Sequence, residues 1–98
     1  MPETSVGLAT TLHDPTSSLA QRLNRLLPSV MQRFGHATVV VTNSTAPAAL
    51  AAVQAFDSLE LVAEDVNNAG LHRRRAVELA LQYPDERILY MDLDHLLR

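Results

Sequence analysis

Short apolar runs alternate along the chain with longer stretches whose apolar positions recur at helical spacing. The run at residues 37–42 is β-branched and nearly continuous, which is typical of a strand covered on both faces. Residues 6–12, where Gly7 weakens the pattern, and residues 59–63 are also predicted as strands. A fourth run, Ile88-Leu89-Tyr90-Met91, is predicted as a buried strand and leads directly into acidic residues. The pattern therefore predicts four strands.

Helical spacing is clearest in the stretch that follows the first strand. Its apolar positions are Leu19, Leu23, Leu26, Leu27, Val30, Met31 and Phe34. Pro28 lies inside this pattern, and proline removes a backbone donor and clashes with the preceding turn. We therefore expect a kink or a break into two helices at Pro28.

Two further helices are predicted between the later strands. One covers residues 48–56, with Pro47 at its first position behind a Ser44 or Thr45 cap. The other covers about residues 69–82 and ends before Pro84. Strands and helices that alternate with short links favour βαβ units. The predicted fold is one α/β domain over residues 1–98, Rossmann-like, with three α/β/α layers and a mainly parallel sheet of about four strands.

Composition narrows the classes of function. The chain has 98 residues, is 47% hydrophobic and carries a formal net charge of -3, which suits one soluble domain and gives no basic surface for nucleic acid. All eight basic residues are Arg, so a P-loop or Schiff-base lysine is excluded. The absence of Cys excludes thiolate sites. No leader-like or membrane-spanning apolar segment occurs, so we expect a cytoplasmic protein.

The predicted strands end in polar residues that a parallel sheet brings to one edge. These exits are residues 10–14, 42–44, 64–68 and 92–95. Ordinary turn preferences explain the first two equally well. Asp92 and Asp94 are more informative, because two carboxylates this close repel unless a cation or a proton lies between them. Carboxylates suit Mg²⁺ or Mn²⁺.

The second half of the chain resembles the central signature of GT-A-type nucleotide-sugar glycosyltransferases, with the "family two" group nearest. That signature runs N-x-G, a helix with an Ala-Arg-Asn triplet, and a hydrophobic strand ending in D-x-D. Asn68 and Gly70 match the first part, Arg75 matches the arginine, and Asp92 and Asp94 match the third part. The order of the earlier elements also agrees, by pattern rather than by motif.

The resemblance implies a donor site for a UDP- or GDP-sugar. It places Asp92 at the ribose or metal, and it places Asp94 at a Mn²⁺ or Mg²⁺ ion that bridges the diphosphate. The residues that it assigns to the nucleotide sugar are Thr10, Thr11, Leu12, Asn43, Asp65, Asn68, Gly70, Arg75 and Asp92. Two positions depart from the family: the second exit reads Thr42-Asn43-Ser44 instead of acidic residues, and Ala76 replaces the asparagine of the triplet.

Length limits what the resemblance implies. Enzymes of this group need a second half with an acceptor surface and a general-base carboxylate, and no residue here is assigned that catalytic role. The chain is thus expected to be the N-terminal nucleotide-binding half of a hexosyltransferase, inactive alone. A C-terminal half or a second copy of the chain would cover its open sheet.

Two other classes remain open. Phosphohydrolases of the haloacid dehalogenase type also have a strand ending in D-x-D, and Val41-Thr42-Asn43 is similar to their Thr-containing strand. Their strands come in the reverse order and they use a lysine, so this class ranks below the transferase. The third class is a non-catalytic domain that binds a nucleotide or a partner chain.

The histidines and Tyr90 are given minor roles by sequence alone. His95 follows the acidic pair and is the one histidine considered as an additional ligand. The other three, His13, His36 and His72, are interpreted as structural, and Tyr90 as a core residue.

Overall fold

The computed structural model describes residues 5–63 and 69–97, except for the side chains of Ala69 and Asp94. Strands and helices alternate throughout these ranges. In chain order they are β1 (Val6–Leu12), α1 (Ala20–Met31), β2 (Ala37–Thr42), α2 (Pro47–Ala52), β3 (Ser58–Val62), α3 (Ala69–Ala80), β4 (Arg87–Tyr90) and α4 (Leu93–Leu96). The predicted alternation is confirmed, and the short helix α4 is an addition to it.

The strands form one parallel sheet in the order β3-β2-β1-β4. The predicted α/β fold with a parallel four-stranded sheet is thereby confirmed. β2 is buried along its whole length, as its continuous β-branched run predicts. The edge strands are more open, with Leu61 of β3 54% exposed and Leu89 of β4 39% exposed. Whether another chain covers these edges stays a prediction.

Side chains that alternate along β1 and β2 build a core on each face of the sheet. On one face, Leu8 and Leu12 of β1 pack in the same apolar cluster as Leu23 and Leu27 of α1. Helices α2 and α4 add side chains to this cluster. On the other face, Ala9 packs with small and apolar residues of α3. The result is a three-layer arrangement. Among the described helices, α1, α2 and α4 pack on one face of the sheet and α3 packs on the other.

Two local expectations need correction. Helix α1 does not break at Pro28 but continues as a single helix, because its face with Leu23, Leu27 and Val30 is buried against the sheet and offsets the lost backbone bond. The alternative, a kink at Pro28, stays a prediction. Helix α2 begins at Pro47 as predicted, but its N-cap is Ala46, and the helix ends at Ala52.

None of the helices in residues 5–63 and 69–97 combines the length and the apolar character that crossing a membrane requires.

Candidate functional site

A crevice lined mainly by polar residues lies at the carboxyl edge of the sheet, beside the end of β1. β1 is followed by a connection to β2 on one side, whereas β4 lies on its other side. Such a divergence opens a crevice where α/β sheets bind ligands. The cavity has a volume of about 130 Å³ and is lined by Thr11, Leu12, His13, Val40, Thr42, His72, Arg73 and Asp92.

A chain of hydrogen bonds connects β1 with the end of β4. The phenol of Tyr90 donates to Asp92 Oδ1 at 2.6 Å. The Thr11 hydroxyl lies 2.9 Å from the same phenol oxygen. Because the single phenol proton goes to Asp92, Thr11 is the donor and Tyr90 the acceptor of this second bond. Burial and the bond to Asp92 raise the pKa of Tyr90, so the phenol stays protonated at neutral pH.

Arg73 covers the crevice from helix α3. Its guanidinium carbon lies 5.9 Å from the centre of the Tyr90 ring, and Nη2 lies 3.8 Å from Asp92 Oδ2. The first contact is a cation–π interaction, and the second is an ion pair longer than a hydrogen bond. The Arg73 side chain is 56% exposed, so the guanidinium remains accessible to solvent and to a ligand.

His13 closes the crevice on the side of β2. Its Nδ1 is hydrogen-bonded to Thr42 Oγ1 at 2.8 Å, and Thr42 Oγ1 lies 3.0 Å from Thr45 Oγ1. The Thr45 hydroxyl in turn accepts a bond from the backbone N–H of Asp14. These contacts connect the ends of β1 and β2.

The turn between β1 and α1 is fixed by a buried carboxylate. Asp14 is 2% exposed, and its oxygens accept bonds from the backbone N–H groups of Ser18 and Leu19 at 3.0 and 2.9 Å. Ser17 in this turn has a φ of 61°. A second cavity of about 240 Å³ lies against the turn and shares Thr11, Leu12 and His13 with the crevice. The end of β1 therefore has a cavity on each side, and both cavities contact Thr11, Leu12 and His13.

The structure brings some of the predicted nucleotide-binding residues together and separates others. Thr11, Leu12 and Asp92 line the crevice. Thr10 is 0% exposed and faces the core of α1 and α2, because neighbouring strand residues point to opposite faces. Gly70 is exposed in the first turn of α3.

Asn43 and His95 lie outside the lining of the two cavities at the end of β1. Asn43 is exposed at the end of β2, where its backbone N–H donates to the carbonyl of Val62. Asp65 and Asn68 lie outside the described residues. His95 is exposed on α4 and lines neither cavity at the end of β1.

Arg75 lies apart from the crevice lining, in an ion pair with β3. Its Nε and Nη2 donate to the two carboxylate oxygens of Glu60 at 2.7 and 2.8 Å. This two-bond geometry is the favoured one for arginine and a carboxylate. It lowers the pKa of Glu60 and raises the pKa of Arg75. In this arrangement the ion pair connects α3 with the edge strand β3.

The predicted metal ligands meet the described structure only in part. Asp92 is the N-cap of α4, and Asp94 lies within that helix, but the side chain of Asp94 is outside the described part. Among the described side chains, no three histidines, aspartates or glutamates form a group that could hold a metal ion. One carboxylate oxygen of Asp92 accepts the hydrogen bond from Tyr90, and the Arg73 guanidinium lies near the other oxygen. Metal binding by Asp92 and Asp94 together therefore stays a prediction.

Sequence reasoning missed four side chains of this region. Tyr90, interpreted as core, is half-buried with its hydroxyl in the crevice network, and His13 and His72 line the cavity. Arg73 is the first of three consecutive arginines, residues 73–75, and the sequence alone assigns it no role. The period of two along β4 places Tyr90 on the side of Asp92 and was a usable signal. The position of Arg73 depends on how α3 crosses the sheet, which local sequence does not indicate.

Comparison with known proteins adds no assignment to this geometry. No protein-family model, no curated protein and no solved structure matches the chain.

Proposed function

We propose that the chain binds a nucleotide-diphosphate sugar in the crevice, as the nucleotide-binding half of a GT-A-type glycosyltransferase. The observation that carries this proposal is the meeting of two strand ends. Thr11 of β1 and Asp92 after β4 lie on one polar cavity, with Arg73 of α3 opposite Asp92. Hydroxyl, imidazole, guanidinium and carboxylate groups around one small cavity suit a ligand that carries hydroxyl and phosphate groups.

The two cavities at the end of β1 support a ligand larger than either. They have volumes of about 130 and 240 Å³ and share Thr11, Leu12 and His13. A nucleotide sugar that passes over the end of β1 occupies both. Its base contacts Thr11 and Leu12, and its phosphates lie near Arg73.

The proposal includes a Mn²⁺ or Mg²⁺ ion held by Asp92 and Asp94. Such an ion would neutralise the diphosphate leaving group of a sugar transfer. The chain's own contribution is to orient Asp92: Tyr90 donates to one carboxylate oxygen and leaves the other directed toward the crevice side of Arg73. No described residue is assigned the general-base role, so we expect binding without transfer unless an acceptor half completes the enzyme.

The test is calorimetric titration with UDP-glucose and GDP-mannose, in Mn²⁺ and again in a chelator. We expect one of the two nucleotide sugars to bind only with the metal, and we expect Asp94→Asn to abolish that binding. Glu86→Gln is the matched control, because Glu86 is an exposed carboxylate next to the first residue of β4, at the other end of the strand.

Two results would reject parts of the proposal. Equal binding in the chelator, or in Asp94→Asn, would reject the metal anchor. Failure of both nucleotide sugars to bind would reject the nucleotide-sugar site. Trapping of a beryllium fluoride complex on Asp92 would instead indicate a phosphohydrolase. The strand order does not favour that class, because β1 separates β4 from β2, the strand that ends in Thr42.

A further inference from the structure

Three consecutive arginines on α3 have three different surroundings. Arg75 is held by Glu60 through two short bonds, and Glu78 lies 3.6 Å from it. Arg74 is 78% exposed, with its Nε 3.8 Å from Glu78. Arg73 lines the crevice beside Asp92. Successive residues on a helix point in different directions, so the three arginines face different parts of the molecular surface.

We infer that Arg73 is the phosphate-binding side chain of the crevice, and that it exchanges Asp92 for a ligand phosphate when a diphosphate enters. The inference rests on the proposed function for its ligand. It assigns the phosphate contact to Arg73. The family resemblance instead implies that Arg75 is the arginine that contacts the nucleotide sugar.

The contacts of Arg73 favour such an exchange. Its nearest described carboxylate oxygen is at 3.8 Å, beyond hydrogen-bond distance, whereas Arg75 has two bonds below 3 Å. A phosphate offers the guanidinium the paired, short bonds that Asp92 does not provide. The exchange therefore replaces a long ion pair with direct hydrogen bonds.

Tyr90 keeps the guanidinium over the cavity during this exchange. The ring lies 5.9 Å from the guanidinium carbon, and the ring itself is fixed by its bonds to Thr11 and Asp92. Arg73 is thus oriented by an aromatic surface that does not compete for its hydrogen-bond donors.

His72 lies on the cavity wall beside Arg73, one residue earlier on α3. The imidazole of His72 is a further polar group close to a phosphate bound by Arg73.

The experiment compares Arg73→Gln with Arg74→Gln and the unchanged chain in Mn²⁺. Calorimetry measures the binding of UDP, GDP, their nucleosides and inorganic pyrophosphate. We expect Arg73→Gln to weaken the bound nucleoside diphosphate and pyrophosphate about tenfold or more, and to leave the nucleoside unchanged. Arg74→Gln should bind every ligand like the unchanged chain. Circular dichroism establishes that each variant is folded, and Arg73→Lys, which keeps the charge but loses the fork, replaces Arg73→Gln if that variant does not fold.

The outcomes separate this inference from the proposed function. Unchanged diphosphate binding in Arg73→Gln overturns the inference, and so does an equal loss for the nucleoside, which indicates a structural role. Arg73-dependent binding of pyrophosphate without any nucleotide binding supports the inference and rejects the nucleotide-sugar site. If neither pyrophosphate nor a nucleoside diphosphate binds the unchanged chain, both fail.

Discussion

The phenol of Tyr90, the last residue of β4, donates a 2.6 Å hydrogen bond to Oδ1 of Asp92, the N-cap of α4. This bond spans the point where the strand becomes a helix. It fixes the Asp92 carboxylate from within the same segment, while Thr11 of the neighbouring strand holds the phenol from the other side. The direction of the Asp92 carboxylate is therefore set by β1 and β4 together.

Replacing Asp92 should change the titration of Tyr90. Burial raises the pKa of Tyr90 above its ordinary 10.0, and the bond to Asp92 raises it further. In Asp92→Ala both the hydrogen bond and the carboxylate charge are lost, so the phenol should ionise at lower pH. Tyrosinate absorbance in a Tyr83→Phe background measures this, and an unchanged midpoint would contradict the hydrogen bond.

The same shift predicts how stability depends on alkaline pH. A raised pKa in the folded state means that the protonated phenol favours folding. This contribution is fully present below the ordinary pKa of 10.0 and is lost as the pH rises through the folded-state pKa. Urea unfolding at increasing pH should show the loss, and Tyr90→Phe should reduce it.

The Glu60–Arg75 pair should affect stability at acid pH. The bond from Arg75 lowers the pKa of Glu60 below 4.5. A lowered pKa contributes stability that is present above the unfolded-state value and is lost as the pH falls through the folded-state value. Glu60→Gln should flatten the fall in melting temperature below pH 4.5, whereas Glu86→Gln, at an exposed carboxylate, should leave it unchanged. The same slope in both variants would show that the pair has no such role.

Two glycine-to-alanine changes should have opposite effects. A Cβ at Gly35 would collide with Oδ1 of Asp85, a carboxylate that is 3% exposed and bound to His36 Nδ1 at 2.9 Å. We expect Gly35→Ala to lower the free energy of unfolding by about 1–3 kcal/mol. At Gly70 of α3 a Cβ meets nothing within 4 Å, and Gly70→Ala should stabilise by about 0.5–1 kcal/mol. Urea unfolding measures the free energy of unfolding of both variants. Equal changes in the two variants would contradict the prediction.

Thr10 and Thr11 should respond differently to replacement by valine. Among the described residues, Thr10 Oγ1 is buried without a hydrogen-bond partner, whereas Thr11 Oγ1 bonds Tyr90. Thr10→Val should be neutral or stabilise by about 1 kcal/mol, because it removes an unpaired polar group. Thr11→Val should destabilise by about 1 kcal/mol. Chemical denaturation measures both, and a larger loss from Thr10→Val would indicate an unrecognised partner for its hydroxyl.

The elements of this fold were largely predictable from the sequence, since each carries a local pattern. The strands β1 and β2 agree with prediction at both ends, and β3 agrees within one residue. The failures are local patterns overridden by packing. Pro28 does not break α1 because the buried face of that helix continues past it, and α2 is shorter than its alanine-rich sequence suggests.

Sequence alone places the candidate residues at the carboxyl edge of the sheet, whereas their adjacency depends on the strand order, in which β4 pairs with β1. Thr11 and Asp92 follow from the rule that parallel strands end at one edge. Arg73 and His72 reach the crevice only because α3 crosses the face opposite α1 and α2, and no local pattern states that crossing. The resemblance assigns Arg75 to the nucleotide sugar, and this role stays a prediction. In the structure its guanidinium binds Glu60 of the edge strand.

The pairing of β1 with β4 has a kinetic consequence. Val6 lies opposite Arg87, so this pairing joins segments that are far apart in sequence, whereas β1 and β2 are separated only by α1. Closing the longer loop costs more chain entropy, and β4 should join the sheet after β1, β2 and β3 have assembled. The crevice would then be the last part of the molecule to form on folding and the first to open. Its amides in β4 should exchange with solvent sooner than those of β2, and a bound ligand should slow them most.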